Sequence, residues 1–315
     1  MSSQLQPEVH AAARPKAEKS LNRMKRSDWL WAYLMIAPTL IGLGVFYIWP
    51  VVQTIYLSFT KWGGFGKYKW TGVDNYVLLF QDPNMWIALK NTFVYTVLAV
   101  PASIAISILI AVLLNQKIKG ITFYRTLYFL PVVTMAAAVA MVWRWLYNAD
   151  YGLINYLLGL VGIEGPRWIS DPAIALYAVI IVAVWSSIGY NMVIFLAGLQ
   201  GIPRSYYEAA EMDGAGPVRM FFTITLPLLT PSIFFVSITS LIGAFQVFDL
   251  IYLMIGKLGN PATEATQTVA YLFFTNGFES GNGGYAAAVA VVLLVLILIV
   301  TAVQMKMQKK WVHYD

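Results

Sequence analysis

The chain has 315 residues, of which 59% are apolar and 11% charged, against about 45–50% and about 25% in a soluble domain. That excess of apolar surface needs lipid as its solvent, so the sequence reads as an integral membrane protein. The net charge of +6 does not gather on one element with interleaved aromatics; the basic residues flank hydrophobic runs, which excludes a nucleic-acid partner and marks them as topology signals.

There is no cysteine, and His10 and His313 lie in the terminal tails. Disulfides, thiol chemistry and an intramembrane histidine centre are therefore excluded, and neither a catalytic residue nor a metal ligand is expected.

In chain order, residues 1–28 form a basic tail containing Arg14, Lys16, Lys19, Arg23, Lys25 and Arg26, read as disordered. The apolar run after it is too long for a signal-peptide core, and no small-residue cleavage site closes it, so it is a retained first span. Six stretches of bilayer length follow: Leu30–Phe59, Asn91–Leu114, Leu127–Leu146, Ala173–Leu199, Leu228–Ile255 and Tyr285–Val303. An all-α bundle of six transmembrane helices over residues 29–305 is predicted, with 306–315 as a C-terminal tail. The first stretch would reach about 45 Å as a helix, beyond a hydrocarbon core of about 30 Å, so it should tilt, kink near Pro38 or project past the membrane.

With the N-terminus inside, the inner segments hold 14 Lys and Arg, the outer loops hold 6, and Arg144 lies within a span. The imbalance predicts both termini in the cytoplasm of a multi-pass membrane protein. The loop between spans four and five then also faces the cytoplasm.

That loop, YYEAAEMDGAGPVRMFFTITLPLL, holds Glu208, Glu211, Asp213 and Arg219 inside an otherwise apolar chain. Ser205 with Glu208 has the spacing of a capping box, and Pro203 suits a first helical turn. Gly214 can end the short helix in a left-handed conformation, and Pro217 can open a second one. Ala209 and Ala210 leave a low surface on which another protein can approach, with acidic residues beside it.

Glu208-Ala209-Ala210, two residues, Asp213-Gly214-Ala215, eight residues, Ile224, one residue and Leu226-Pro227 match every fixed position of the EAA loop of ABC-importer permeases. Elsewhere the chain resembles the sugar, maltose-type branch of that family: APTLIGLGVFYIWPVVQTIYLSFTKW in span one, FYRTLYFLPVV entering span three, YGLINYLLGLVGI after it and FDLIYLMI closing span five. Where such permeases often have Gly-Gly-Pro after span five, this chain has Gly259-Asn260-Pro261.

The resemblance implies a type I importer permease fold and one half of a translocation pathway in a prokaryotic inner membrane. Its implied partners are a second permease subunit, two ATPase subunits that bind ATP and magnesium, and an extracytoplasmic solute-binding protein. Glu208, Ala209, Ala210, Asp213, Gly214 and Ala215 would form the ATPase-coupling element, with Glu208 opposite a basic residue of the ATPase. No GxxxxGK[ST] phosphate loop occurs, and the run around Gly63–Lys67 lacks its spacing, so this chain would hydrolyse no ATP and hold no cofactor.

Sugar recognition needs hydrogen-bonding groups and an aromatic face. Span four offers Trp185, Ser186, Ser187, Tyr190 and Asn191. Span five offers Ser240, Gly243, Gln246 and Val247, of which Ser240, Gly243 and Val247 share one face of a continuous helix. The resemblance implies that these two spans hold the substrate, with Tyr190 as the aromatic lining. Each of these residues could instead bridge helices within the bundle. Arg144 and Asp249 are the clear ionisable residues within spans. Arg144 reads as an interfacial anchor between Trp143 and Trp145; Asp249 reads as a partner of Arg144 or of a neighbouring subunit, with substrate contact as the other reading.

An ion-coupled secondary transporter of a polar solute is the rival reading. It is disfavoured because such carriers commonly place ionisable groups at mid-membrane and use inverted repeats, and this chain has one candidate acid and no evident repeat. A membrane enzyme would need a catalytic constellation, and neither HExxH nor GxSxG occurs.

Overall fold

The computed structural model of the protein describes residues 26–62, 68–116, 119–256 and 259–312. The basic tail up to Lys25 lies outside these, as do Lys67, Lys117 and Lys257 of the charge count. The chain divides into two compact units, Met1–Gln53 and Thr54–Asp315.

The first unit holds most of span one: α1 (Arg26–Leu43), a π-turn at Gly44–Ile48 and the start of α2 (Trp49–Leu57). The helix passes through Pro38, and its departure from α geometry falls later, where Trp49 N–H bonds the Gly44 carbonyl five residues back. Pro50 follows; it has no N–H, and its ring crowds the carbonyl of Phe46, which the wider turn relieves.

In the second unit, β1 (Thr60–Lys61) and β2 (Lys69–Trp70) form a minimal antiparallel ladder, Thr60 opposite Trp70. Next come α3 (Asp74–Gln81) and α4 (Pro83–Leu114), the second span. It begins at Pro83, well before the expected Asn91. Asp82 sets that start: one carboxylate oxygen accepts from Asn84 N–H at 2.9 Å and the other from the Tyr285 hydroxyl at 2.6 Å.

Span three is not one straight helix. It consists of α5 (Ile121–Val133) and α6 (Ala136–Leu146), bent by 101°. Thr134 and Met135 are extended, with ψ of 138° and 133°. The Thr134 hydroxyl donates to the Leu130 carbonyl at 2.9 Å, the acceptor that a continuing helix would have used. After α7 (Leu153–Leu160), the fourth span α8 (Ala175–Gln200) is unbroken.

The expected single span Leu228–Ile255 is also corrected. Following α9 (Arg204–Met212), the chain runs through α10 (Pro217–Met220), a π-turn at Phe221–Thr225, α11 (Leu226–Leu228), α12 (Thr230–Phe245) and α13 (Asp249–Ile255). The axis turns 65° between the segment ending at Leu228 and α12. Pro231 lacks the N–H that would reach Pro227, and the Thr230 hydroxyl takes that carbonyl at 2.6 Å.

Then α14 (Ala262–Thr266), α15 (Val269–Phe274), a π-turn at Thr275–Glu279 and α16 (Gly283–Trp311), the sixth span, complete the unit. With each bent pair taken as one, six spans result. In the Gly259-Asn260-Pro261 turn, the Asn260 amide donates to the carbonyls of Ile169 and Ile255 at 2.8 and 2.7 Å, and its Oδ1 accepts from Ala262 N–H at 3.0 Å. One asparagine thereby ties together three stretches of backbone.

Lipid is as apolar as leucine, so helix association here rests on close packing and interhelical hydrogen bonds. The seam between α4 and α8 is accordingly lined by small residues, with Ala99 and Ala178 buried. A Cβ at Gly189 would collide with the Tyr128 carbonyl of α5. At the α9 end of the bundle, Met192, Phe195, Leu229 and Val236 form a second buried cluster.

Candidate functional site

The loop between spans four and five forms a helix, a sharp turn and a second helix. The capping box does not form: α9 begins at Arg204, Pro203 is its extended N-cap (φ −60°, ψ 135°), and no side chain caps it. With Pro203 as N-cap, the helix enters two residues too early for Ser205 to act. Glu208 is thus released from any capping duty. It is exposed, and among the described residues it has no ion pair or hydrogen-bond partner.

The end of α9 is a Schellman closure. Gly214, at φ +74°, donates its N–H to Glu211 at 3.0 Å, and Ala215 N–H reaches back to Ala210 at 2.9 Å. A side chain at this φ would be strained, which explains glycine here. Gly216 is extended and Pro217 starts α10. Glu208, Ala209, Asp213 and Gly214 are exposed, Ala210 and Ala215 half-buried. Met212, Val218 and Phe222 are exposed apolar side chains at the same end, Met212 by 89%. An uncompensated carboxylate, a low alanine surface and an apolar rim together suit contact with another protein.

The second candidate site is divided by the break in span five. On α8, Tyr190 is exposed, Ser187 is half-buried with its hydroxyl donating to Val184 at 2.9 Å, and Asn191 is buried at 1% exposure. The Asn191 Nδ2 has no partner, nor has the Ser186 hydroxyl. Trp185 meets Trp143 edge to face at 5.4 Å.

On span five, Gly243 and Gln246 are exposed and Ser240 half-buried. Val247 is not on their face. The helix stops at Phe245, and Val247 turns into the core while its carbonyl accepts from the Thr268 hydroxyl at 2.8 Å. Asp249 is exposed in the first turn of α13, where the positive end of a helix favours a carboxylate. Among the described residues it forms no ion pair with Arg144.

Arg144 lines a different cavity of about 510 Å³, together with Asn148, Asp150, Ser170 and Asn260. Beside it Tyr147, the C-cap of α6, donates its hydroxyl to the Ala178 carbonyl at 3.4 Å. A groove of about 680 Å³ runs between α4 and span five and is lined by apolar residues such as Val100, Ile104, Phe221 and Leu241, with none of the expected solute contacts. Residues that sequence reasoning did not reach are the aromatic cluster of Phe248, Tyr252 and Phe274 beside the break, with centroids 4.6–5.1 Å apart. Phe248 and Tyr252 sit one helical turn apart at the start of α13, and Phe274 joins them from α15, a pairing that no local pattern announces.

Six spans with two of them bent, and a structured polar loop at one end, define a solute permease of the membrane. The chain belongs to the family of binding-protein-dependent transport system inner membrane components, which matches residues 88–313. It is 40% identical over 297 residues to the probable ABC transporter permease protein YesP of Bacillus subtilis (strain 168), covering 93% of this chain and 95% of that protein. It is 36% identical over 288 residues to the sn-glycerol-3-phosphate transport system permease protein UgpA of Brucella abortus, covering 90% and 96%. A chain in the crystal structure of a bacterial alginate ABC transporter, in complex with an alginate pentasaccharide-bound periplasmic protein, superposes with a TM-score of 0.81. That match covers 90% of this chain and 96% of the other at 22% identity, which speaks to the fold alone. The fold is that of ABC type I importer permeases.

Proposed function

We infer that this permease forms half of the pathway of an ATP-driven importer for a sugar or oligosaccharide. The observation that carries the reading is α9, which presents an unpaired Glu208 beside Ala209 and Ala210 on a helix closed by Gly214. Its surface calls for a protein partner carrying a matching cation, and a separate ATPase subunit that binds ATP and magnesium fits that role. The charge imbalance then puts both termini and the loop in the cytoplasm. A second permease subunit, a second ATPase and an external solute-binding protein complete the assembly. The solute would meet Tyr190, Ser187 and Asn191 from span four and Ser240, Gly243, Gln246 and Asp249 from span five.

Relatives at 36% identity named for sn-glycerol-3-phosphate favour a second substrate reading, a phosphorylated polyol. Uptake into proteoliposomes holding the whole complex, with neutral sugars, oligosaccharides and glycerol phosphate offered in turn, decides between them.

Coupling is tested by Glu208→Ala, Glu208→Gln and Gly214→Val. Removing one partner of a buried charge pair at an interface costs about 2–5 kcal/mol, so both Glu208 variants should lose ATPase co-purification or solute-stimulated hydrolysis. Glutamine preserves shape and not charge. Gly214→Val should fail by straining the left-handed turn and re-aiming α9. Wild-type behaviour in all three would remove this loop as the transmission contact.

A further inference from the structure

Although α9 carries the exposed motif, it is held to the bundle by very little. None of its residues is buried. Among the described residues, the one side-chain hydrogen bond between α9 and another element joins the Tyr207 hydroxyl to Thr225 Oγ1, at 2.9 Å. The covalent route from α9 to span five passes through Gly214 and Gly216, residues with no Cβ to restrict the backbone. A push on α9 travelling by that route alone would be absorbed by rotation at the glycines.

Thr225 is placed to receive the push instead. It is 6% exposed and is the last residue of the π-turn Phe221–Thr225. Its hydroxyl lies 3.5 Å from the Met220 carbonyl five residues back. With that O–H directed to Met220, Thr225 Oγ1 accepts and Tyr207 donates. The Thr225 carbonyl in turn accepts from Leu229 N–H at 3.0 Å. Leu229 is fully buried among Phe195, Met192 and Val236, at the point where span five turns by 65°. A chain of hydrogen bonds therefore runs from α9 to the bend, and π-turns of this kind are frequent at functional positions.

We propose that the Tyr207–Thr225 hydrogen bond is a latch that makes α9 and the base of span five move as one body, with Tyr207 as a positioning residue for energy coupling. The latch closes a loop through α9, the two glycines, α10 and the π-turn, so that displacement of α9 reorients span five at Leu229. This rests on the reading that α9 docks on an ATPase.

The test uses the assembled complex in proteoliposomes, with Tyr207→Phe, Thr225→Val, the double variant and Thr225→Ser. The readout is ATP hydrolysed per solute transported, beside ATPase co-purification. Phenylalanine keeps the ring and removes only the hydroxyl. A neutral hydrogen bond corresponds to about two- to tenfold in an equilibrium, so Tyr207→Phe and Thr225→Val should each raise ATP per solute by about that factor, with ATPase binding unchanged. The double variant should be no worse than either single one, and Thr225→Ser should retain the wild-type ratio. A wild-type ratio in Tyr207→Phe, or fully multiplicative effects in the double variant, overturns the latch. A wild-type complex that transports while Glu208→Ala leaves ATPase binding and hydrolysis intact overturns the docking reading instead.

Discussion

Spans four and five are both strongly apolar and both line the same part of the bundle, yet their backbones differ. Span four is a single 26-residue helix, although it contains Gly189, Gly198 and polar residues in its middle. Span five is assembled from several pieces. The glycines of span four are contact points: a Cβ at Gly189 would meet the Tyr128 carbonyl, and one at Gly198 would meet Ser232 and Leu229. Neighbours on these faces hold the helix straight. In span five, Pro227 and Pro231 delete backbone donors, and Thr230 occupies a freed carbonyl. Within a membrane an unpaired carbonyl is costly, so a bend persists where a hydroxyl can satisfy what the bend exposes. Thr134 does the same in span three.

Four substitutions sharpen that contrast. The largest effect is expected for Gly189→Val, because a backbone carbonyl cannot move aside as a side chain can. Destabilisation of about 3 kcal/mol or more should appear as loss of monodisperse protein and a lowered detergent melting temperature. Wild-type melting would mean that α5 and α8 do not touch there.

Asn191→Leu should go the other way. Its buried Nδ2 has no partner, and an unmet buried polar group costs about 1–3 kcal/mol, so leucine should hold or raise the melting temperature. If the amide serves the solute, uptake should fall at the same time. Undiminished uptake would take Asn191 out of the pathway.

Thr268→Val removes the hydroxyl that bonds Val247 at 2.8 Å and caps α15 through Tyr271 N–H at 3.3 Å. A loss of about 1 kcal/mol follows, read as a lower melting temperature. No shift would show that the break after Phe245 is held by other contacts.

The smallest effect belongs to Gly243→Ala. Nothing lies within 4 Å of the added methyl group, and alanine in an exposed helix is favoured by up to about 1 kcal/mol. Stability should be unchanged or slightly higher. Reduced uptake with normal abundance would put the solute against α12 at this level, and unchanged uptake would put it elsewhere.

Periodicity failed at Val247 for an identifiable reason. Placing it with Ser240 and Gly243 assumed a helix continuing past Phe245, whereas the helix stops there and the Val247 carbonyl is taken by Thr268, 21 residues away. The capping box failed by two residues of register, set by Pro203. By contrast, the turn at Gly214 was readable because its hydrogen bonds span five residues or fewer, and glycine is the residue that tolerates its φ.

Composition and run length alone determined that lipid is this chain's solvent, that six spans cross it and that one polar loop interrupts them, since the length of an apolar run against bilayer thickness is a one-dimensional quantity. Local spacing likewise determined the motif and turn of α9. Only the tertiary structure decided how the chain is held past Phe245 in span five, which polar residues face inward and how α9 is tethered. Those outcomes rest on partners far apart in sequence, such as the Asn91 amide donating to Ala265 and Gln267, 174 and 176 residues away. Hydrogen-bond satisfaction at such distances has no signature in any local pattern.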